Sequence, residues 1–178
     1  PSLFATLGES HYMYGYLLNR LYTLDNDKQN LTKAIEAFED AIRSYQELNL
    51  TNRIAECYWK IAQIHDTLDE NLESAQRFNL ASENYRKSAE KTPQLKKLYS
   101  DHVLYMQAWS EIEKARHHHK RQEFHLAEEH FEKSASIHKS LKQWSYLAPN
   151  YAAWAQIEHA EELSRKEQSE EALLAFEE

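Results

Sequence analysis

A short pattern recurs along this chain: an alanine, an aromatic residue four positions later, and a small residue three positions after that. Its copies are AIEAFEDAI from Ala34, ASENYRKSA from Ala81 and AEEHFEKSA from Ala127, and ALLAFEE from Ala172 begins a fourth. These starting positions are 47, 46 and 45 residues apart. A fixed period of this size is typical of a repeat protein, in which each copy is one unit of supersecondary structure.

A second pattern precedes the first in two of the units. AWSEIEKA from Ala108 matches AWAQIEHA from Ala153, again 45 residues apart. Apolar residues lie three and four positions apart in both halves of each unit, which predicts two helices per unit, and no segment alternates as a strand does. We therefore predict an all-α chain with units at roughly 1–48, 49–91, 92–142 and 143–178. In the first helix, the apolar residues at this spacing include Tyr14, Leu17, Leu18, Leu21 and Leu24.

The composition supports a helical chain and excludes some partners. Only 2 glycines and 3 prolines are present, and the net charge of −8 disfavours binding to nucleic acid or to an anionic membrane. Cys57 is the single cysteine, so no disulfide can form within the chain and a reducing, cytoplasmic location is expected. The chain begins without Met and ends within a helical pattern, so we expect a fragment of a longer protein.

Signals for an enzyme are scarce. Glycine occurs only at Gly8 and Gly15, so the chain has no glycine-rich phosphate loop, and no hydrolase, metalloprotease or kinase motif is present. Cys57 has no base or oxyanion hole near it in the sequence and is expected to be a buried structural residue. We therefore expect no catalytic residues and no cofactor.

Three consecutive histidines, His117–His119, precede Lys120 and Arg121. On a helix their side chains point about 100° apart, so they cannot converge on one ion. Pairs of residues four apart would offer two ligands each, fewer than a zinc site needs. These pairs are Glu113/His117, His119/Glu123 and His125/Glu129.

The repeat gives this histidine run a simpler interpretation. A shift of 45 residues places it on the predicted turn of the last unit, with His118 at the position of Leu163. We interpret it as the polar bend between two helices, with basic residues ending the first helix and acidic residues opening the second. Weak metal binding and a pH-linked contact remain open alternatives.

Gly15, Ala34, Phe38 and Ala41 match a signature of a small residue in a first helix, followed by alanine, aromatic and alanine in a second. In this respect the chain resembles the tetratricopeptide-repeat (TPR-like) family. Its units of 45–47 residues are longer than the usual repeat of about 34. The resemblance implies a right-handed α-α superhelix of about four helical hairpins, with the first helices lining a concave groove.

The same resemblance implies a non-catalytic scaffold that binds a segment of a partner protein in this groove. The family's carboxylate clamp is absent, since its lysine positions carry Tyr12, Trp59 and Tyr105, so a partner bound by its terminal carboxylate is not expected. The unpaired helix faces at the ends of an open array would allow end-to-end self-association. The expected groove residues are Tyr12, Tyr16, Trp59, Gln63, Tyr105, Trp109 and Trp154.

Two other classes of function stay open. One is a regulatory or sensory domain that binds a small ligand or an ion and controls an adjoining domain. The other, less favoured by the motifs, is a metal-dependent enzyme of the helical-bundle kind.

Overall fold

The computed structural model describes residues 2–166 and 169–177, and all regular structure in these ranges is helical. The all-α prediction is confirmed there, since the ranges contain no strand. Short 3₁₀ helices at Pro93–Leu95 and Ser145–Leu147 precede the fifth and seventh α-helices. The eight α-helices are α1 (Leu3–Asp25), α2 (Lys28–Glu47), α3 (Thr51–Thr67), α4 (Asn71–Lys91), α5 (Lys96–Lys120), α6 (Phe124–Ser140), α7 (Ala148–Arg165) and α8 (Ser169–Glu177).

The tight turns between helices use residues other than glycine. Asn26, Asn49, Asp69 and Gln122 adopt positive φ angles of 55°, 54°, 66° and 58°, and each follows the end of a helix. Asparagine and aspartate tolerate this left-handed conformation better than other side chains, which explains three of the four positions. A chain with 2 glycines, both inside α1, can therefore still form helical hairpins.

Contacts divide the chain into two compact units, Pro1–Val103 and Leu104–Glu178, and the boundary falls within α5. In the first unit α1 packs on α2, α2 on α3 and α3 on α4. In the second unit α6 packs on α7 and α7 on α8. The single repeat domain inferred from the sequence stays a prediction.

The core of the first unit depends on small residues of α1 that lie against aromatic rings of α2. A Cβ atom added at Gly15 would lie 3.1 Å from the carbonyl oxygen of Ala34 and 3.2 Å from the ring of Phe38. A Cβ added at Gly8 would lie 2.6 Å from the ring of Tyr45. Phe38 and Tyr45 are both fully buried, so the helices can approach this closely only where α1 has no side chain.

A polar cluster joins α1, α2 and α3 beside this core. Arg53 of α3 donates from Nε to Glu9 of α1 at 3.0 Å, and the hydroxyl of Tyr45 donates to the same carboxylate at 2.9 Å. The guanidinium carbon of Arg53 lies 4.9 Å from the centre of the Tyr12 ring. Hydrogen bonds to a charged group are stronger than neutral ones, so Arg53 fixes the relative positions of three helices.

Four of the five apolar residues whose spacing indicated the helix α1 lie outside the core. Leu18 is buried, but Tyr14, Leu17, Leu21 and Leu24 are 55%, 59%, 43% and 82% exposed. The physical reason is that α1 carries two apolar stripes, and only the stripe containing the glycines admits the rings of α2 closely. The leucine-rich stripe is left on the outside of the unit.

The core of the second unit also combines small and aromatic residues, since Phe131 of α6 shares a buried cluster with Ala115 of α5 and Ala155 of α7. Phe131 of α6 is 4% exposed and its ring stacks on Tyr151 of α7 at 6.3 Å between centres. Ala127 and Ser134, the small residues of this copy of the signature, are fully buried, as the pattern predicts. Within the described ranges, the helices are too short or too polar to cross a membrane.

The close approach at Gly8 makes a direct prediction for stability. Gly8→Ala should lower the free energy of unfolding by about 1–3 kcal/mol, because the new methyl group overlaps the buried ring of Tyr45. The gain in helix propensity, about 1 kcal/mol, offsets only part of this cost. Urea unfolding measures the change, and the exposed Ser10→Ala in the same helix is the control, with an expected change within about 0.5 kcal/mol. A Gly8→Ala protein as stable as wild type would contradict the packing described for α1.

Candidate functional site

The groove residues expected in the first unit differ in exposure. Tyr12 is half-buried and meets the ring of Phe38 edge-on at 5.5 Å, while Tyr16 is 39% exposed. Trp59 is half-buried with its ring 6.3 Å from that of His102, and Gln63 is exposed. Tyr12 and Trp59 therefore serve packing at least in part, and only Tyr16 and Gln63 are mainly accessible.

The expected groove residues of the second unit belong to a continuous chain of aromatic contacts. Tyr105 and Trp109 of α5 meet edge-on at 6.2 Å, and Trp109 meets Tyr151 of α7 at 6.5 Å. Tyr151 stacks on Phe131, whose other neighbour is Trp154 at 6.1 Å. Trp154 lies at the end of this row of aromatic rings. Its side chain is 44% exposed, so the ring is available to a ligand.

Trp154 opens onto a cavity of about 220 Å³ within the second unit. Helices α5 and α7 each contribute three lining residues, and α6 contributes one. Of the groove residues expected from the sequence, only Trp154 lines it. The lining residues are Arg116, His119, Lys120, Phe131, Tyr151, Trp154 and Glu158.

The cavity has an aromatic floor and a charged rim. Phe131, Tyr151 and Trp154 supply the floor, and Arg116 and Lys120 supply positive charge. The volume is below the range of about 300–1,000 Å³ that is usual for small-molecule sites, and it suits one or two side chains. An apolar or aromatic side chain next to a carboxylate would satisfy both parts of the cavity.

Two buried carboxylates stand beneath the rim at equivalent positions of the repeat. Glu113 is fully buried and accepts a hydrogen bond from Arg116 at 2.8 Å. Glu158 is 1% exposed and lies 2.9 Å from Nδ1 of His119. Burial raises the pKa of Glu158, and the hydrogen bond and charge of His119 offset part of that rise. The contacts with Glu113 and Glu158 thus hold the side chains of Arg116 and His119 in place.

A second cavity of about 390 Å³ lies among α6, α7 and α8 of the same unit. Its lining includes Glu128, Glu132 and His159, with four alanines and a glutamine. It has no aromatic residue to anchor a ligand, and its carboxylates disfavour an anionic one. The smaller cavity is therefore the better candidate for recognition.

The histidine run lies in a different place from the one predicted. His117–His119 are in the last turn of α5, and the bend consists of the residues up to Glu123. Nδ1 of His118 lies 2.6 Å from Glu123, which the sequence paired with His119. The predicted pair, His119 and Glu123, assumed a continuous helix, in which residues four apart lie side by side. The left-handed backbone of Gln122 reverses the chain before Glu123, so its carboxylate contacts His118, five residues earlier.

The opening of α6 also departs from prediction. The first turn of α6 contains no acidic residue, because Glu123 precedes the helix and does not cap it with its side chain. Its carboxylate also accepts a hydrogen bond from Arg121 at 3.0 Å, and the contacts to His118 and Arg121 hold its pKa below the ordinary range. The positive end of α5 agrees with the prediction, since His117–Lys120 occupy its last turn.

The other histidines of this region also pair with carboxylates. His118 stacks on His130 at 5.3 Å, and His130 lies 2.7 Å from Glu111. Burial alone would raise the pKa of Glu111, but His130 and Lys114 together lower it to about 2. In the residues that the structure describes, no group of three or more potential ligands is arranged to hold a metal ion. The predicted contact between His125 and Glu129 is present at 3.4 Å.

His138 lies beneath the aromatic chain and is fully buried. Its Nδ1–H donates to the carbonyl oxygen of Ser134 at 3.1 Å, and its ring stacks on Tyr151 at 5.3 Å. The other ring nitrogen, Nε2, is buried without a hydrogen-bond partner. Burial lowers the pKa of His138, although the bond to Ser134 acts in the opposite direction, so the imidazole is neutral near pH 7.

Cys57 of α3 is fully buried, as expected. Burial raises the pKa of its thiol to about 12, so the reactive thiolate is not formed near neutral pH. The residue contributes to packing in the first unit.

Comparison of the chain with models of protein families, with curated proteins and with solved structures finds no match. The likeness to tetratricopeptide repeats therefore stays a prediction from the signature residues.

Burial of His138 predicts a pH dependence of stability. The unfolded chain binds a proton near the ordinary pKa of 6.5, whereas the folded chain does so only at lower pH. The contribution of His138 to stability is therefore fully present above about pH 6.5. It is lost as the pH falls from there towards the pKa of the folded state.

His138→Phe should make the free energy of unfolding fall less between about pH 7.5 and about pH 5.5 than it does in wild type. Urea titrations at both pH values provide the measurement. His125→Gln, at a position whose side chain is 67% exposed, is the control and should keep the wild-type decrease. An unchanged decrease in the His138→Phe protein would show that this imidazole is not held neutral.

Proposed function

We propose that this chain is a non-catalytic, TPR-like scaffold that binds a segment of a partner protein. The cavity with an aromatic floor and a cationic rim is the observation that carries the proposal. Its walls come mainly from α5 and α7, the two helices that correspond to first helices of the repeat, and in a TPR-like superhelix first helices face the ligand. The free, buried Cys57 fits the cytoplasm as the place where it acts.

The bound segment would insert an apolar or aromatic side chain against Trp154. Aromatic pairs contribute about 0.5–1.5 kcal/mol beyond the burial of area, and exposed tryptophans are common binding hot spots. An acidic residue next to this side chain would pair with Lys120 and Arg116 at the rim. The positive charge at the rim leads us to expect an acidic residue in the bound segment, which the groove residues predicted from the sequence did not suggest.

The cavity needs little rearrangement to accept this segment. Phe131 and Tyr151 are 4% and 7% exposed, and Tyr151 is packed between Phe131 and His138. At the other wall, His119 is held by Glu158. A site whose side chains are already fixed loses less conformational entropy on binding, which favours affinity.

Selection from a library of random peptides tests this proposal, because it samples many candidate segments at once. Enriched peptides should combine an acidic residue with an aromatic or large aliphatic one. Trp154→Ala should weaken their binding about tenfold or more, because the ring is part of the floor. The matched control is Tyr146→Ala, which removes a 73% exposed aromatic residue outside the cavity and should leave affinity unchanged. Equal affinity of the wild-type and Trp154→Ala proteins for every enriched peptide would contradict the proposal.

The charge of the rim gives a separate prediction. Lys120→Glu should weaken binding of the selected peptides and make the remaining affinity less sensitive to salt. Lys139→Glu makes the same change in charge at an exposed residue of α6 and serves as the control. Equal effects of the two substitutions would mean that the peptides respond to net charge alone and would contradict a role for the rim.

A further inference from the structure

Glu158 lines the cavity of the second unit with a carboxylate whose hydrogen bonds are incomplete. Its side chain is 1% exposed. A carboxylate can accept about four hydrogen bonds, and a buried one is stable only where several of them are made. Among the residues that the structure describes, the hydrogen-bond partner of Glu158 is Nδ1 of His119, at 2.9 Å from one carboxylate oxygen and 3.1 Å from the other. The carboxylate therefore has room for a donor that a ligand in the cavity can supply.

A comparison with Glu113 shows how little compensates the charge of Glu158. Glu113, at the equivalent position of the repeat, is paired with the permanently charged guanidinium of Arg116 and is not one of the residues that line the cavity. The partner of Glu158 is instead an imidazole whose side chain is 50% exposed. Burial raises the pKa of Glu158, as expected for a carboxylate that lacks donors. A donor from a ligand would stabilise the ionised form.

The other residues of the cavity limit the kind of donor. Arg116 and Lys120 line the same cavity and would repel a lysine or an arginine of the ligand. The donor is therefore a neutral group, such as a hydroxyl or an indole N–H. The floor of Phe131, Tyr151 and Trp154 favours a donor that is attached to an aromatic ring. Tyrosine and tryptophan are the side chains that combine the two properties.

The positions of Trp154 and Glu158 favour tyrosine. The two residues are four apart on α7, so they are neighbours on one side of the helix, with about 5–6 Å between their Cβ atoms. Trp154 is 44% exposed and Glu158 is 1% exposed, so a ring that enters along Trp154 has its far end near Glu158. Tyrosine carries its hydroxyl at that far end. Tryptophan carries its N–H at the side of a larger ring system, which suits a cavity of about 220 Å³ less well.

We propose that the cavity selects a tyrosine of the partner segment, whose ring stacks on Trp154 and whose hydroxyl donates to Glu158. This inference rests on the proposed function, because it requires that a protein segment enters the cavity. It adds that Glu158 is the residue that distinguishes tyrosine from phenylalanine. A hydrogen bond to a charged acceptor is stronger than one between neutral groups, and a phenylalanine in the same place would bury the carboxylate further without supplying a donor.

Two peptide libraries test this selectivity. They are identical except that a fixed central residue, surrounded by random ones, is tyrosine in one and phenylalanine in the other. The tightest-binding peptide of the tyrosine library is then synthesised in both forms, and calorimetry measures the two dissociation constants. Wild type should bind the tyrosine form about tenfold or more tightly than the phenylalanine form. Equal affinity for the two forms would overturn the proposal.

Substitution of Glu158 assigns the selectivity to its carboxylate. Glu158→Met removes the acceptor at similar side-chain length, so the ratio of the two affinities should fall to about one, through weaker binding of the tyrosine form. An apolar replacement of a buried charge is often tolerated, and Glu158→Gln, which keeps a neutral acceptor, should give an intermediate ratio. Glu162→Met makes the same change one turn later on α7, outside the cavity, and should keep the wild-type ratio. A wild-type ratio in both Glu158 variants would contradict the proposal.

The phosphotyrosine form of the same peptide tests the direction of the ring. A phosphate at the far end would meet the carboxylate of Glu158, so this form should bind about tenfold or more weakly than the tyrosine form. Equal or tighter binding would place the end of the ring beside Arg116 and Lys120 and would overturn the proposal.

Trp154→Ala separates a failure of this inference from a failure of the proposed function. If the substitution weakens both forms of the peptide while wild type binds the two forms equally, the cavity binds the segment but Glu158 does not select tyrosine. If the substitution weakens neither form, the peptide binds outside the cavity, and both the proposed function and this inference are wrong.

Discussion

The close contact between a small residue on one helix and a buried aromatic ring on the next is the interaction on which the structure depends. Gly15 against Phe38 sets the distance between α1 and α2, and it leaves the leucines of α1 outside. In the second unit, Phe131 of α6 lies in one buried cluster with Ala115 of α5 and Ala155 of α7. There the buried ring of Phe131 also supports the exposed ring of Trp154, so the feature that packs the helices also forms the floor of the cavity.

The sequence alone was enough to predict those features of the fold that depend on residues close to one another along the chain. The periodic pattern identified the helices and the burial of Phe38 and Phe131. The burial of Cys57 was expected because the sequence places no base or oxyanion hole near it. The packing face of α1 could not be predicted by periodicity, because two apolar stripes have the same helical spacing and only contacts with α2 decide between them. The contact of His118 with Glu123 was missed because it depends on a left-handed residue in the bend, a conformation that no glycine signals in the sequence.

The candidate site was harder to predict than the fold. Trp154 was expected from the likeness to TPR-like proteins, whereas Arg116 and Lys120 are ordinary surface residue types whose position beside an aromatic floor depends on how α5 and α7 pack. One signal was present in the sequence. Glu113 and Glu158 coincide when the repeat is aligned, and both prove to be buried carboxylates beneath the rim. Acidic residues are seldom fully buried without partners, so a repeated acid on the apolar side of a helix indicates a cation beside it.

The central claim is that the second unit binds a partner segment at the cavity next to Trp154. The 4 tryptophans of the chain give separate indole N–H signals by nuclear magnetic resonance, and titration with a library-selected peptide follows all of them at once. The account predicts that the signal of Trp154 shifts most and saturates with binding, while that of Trp59 in the first unit stays in place. A peptide that binds and moves Trp59 while Trp154 is unchanged would contradict the claim.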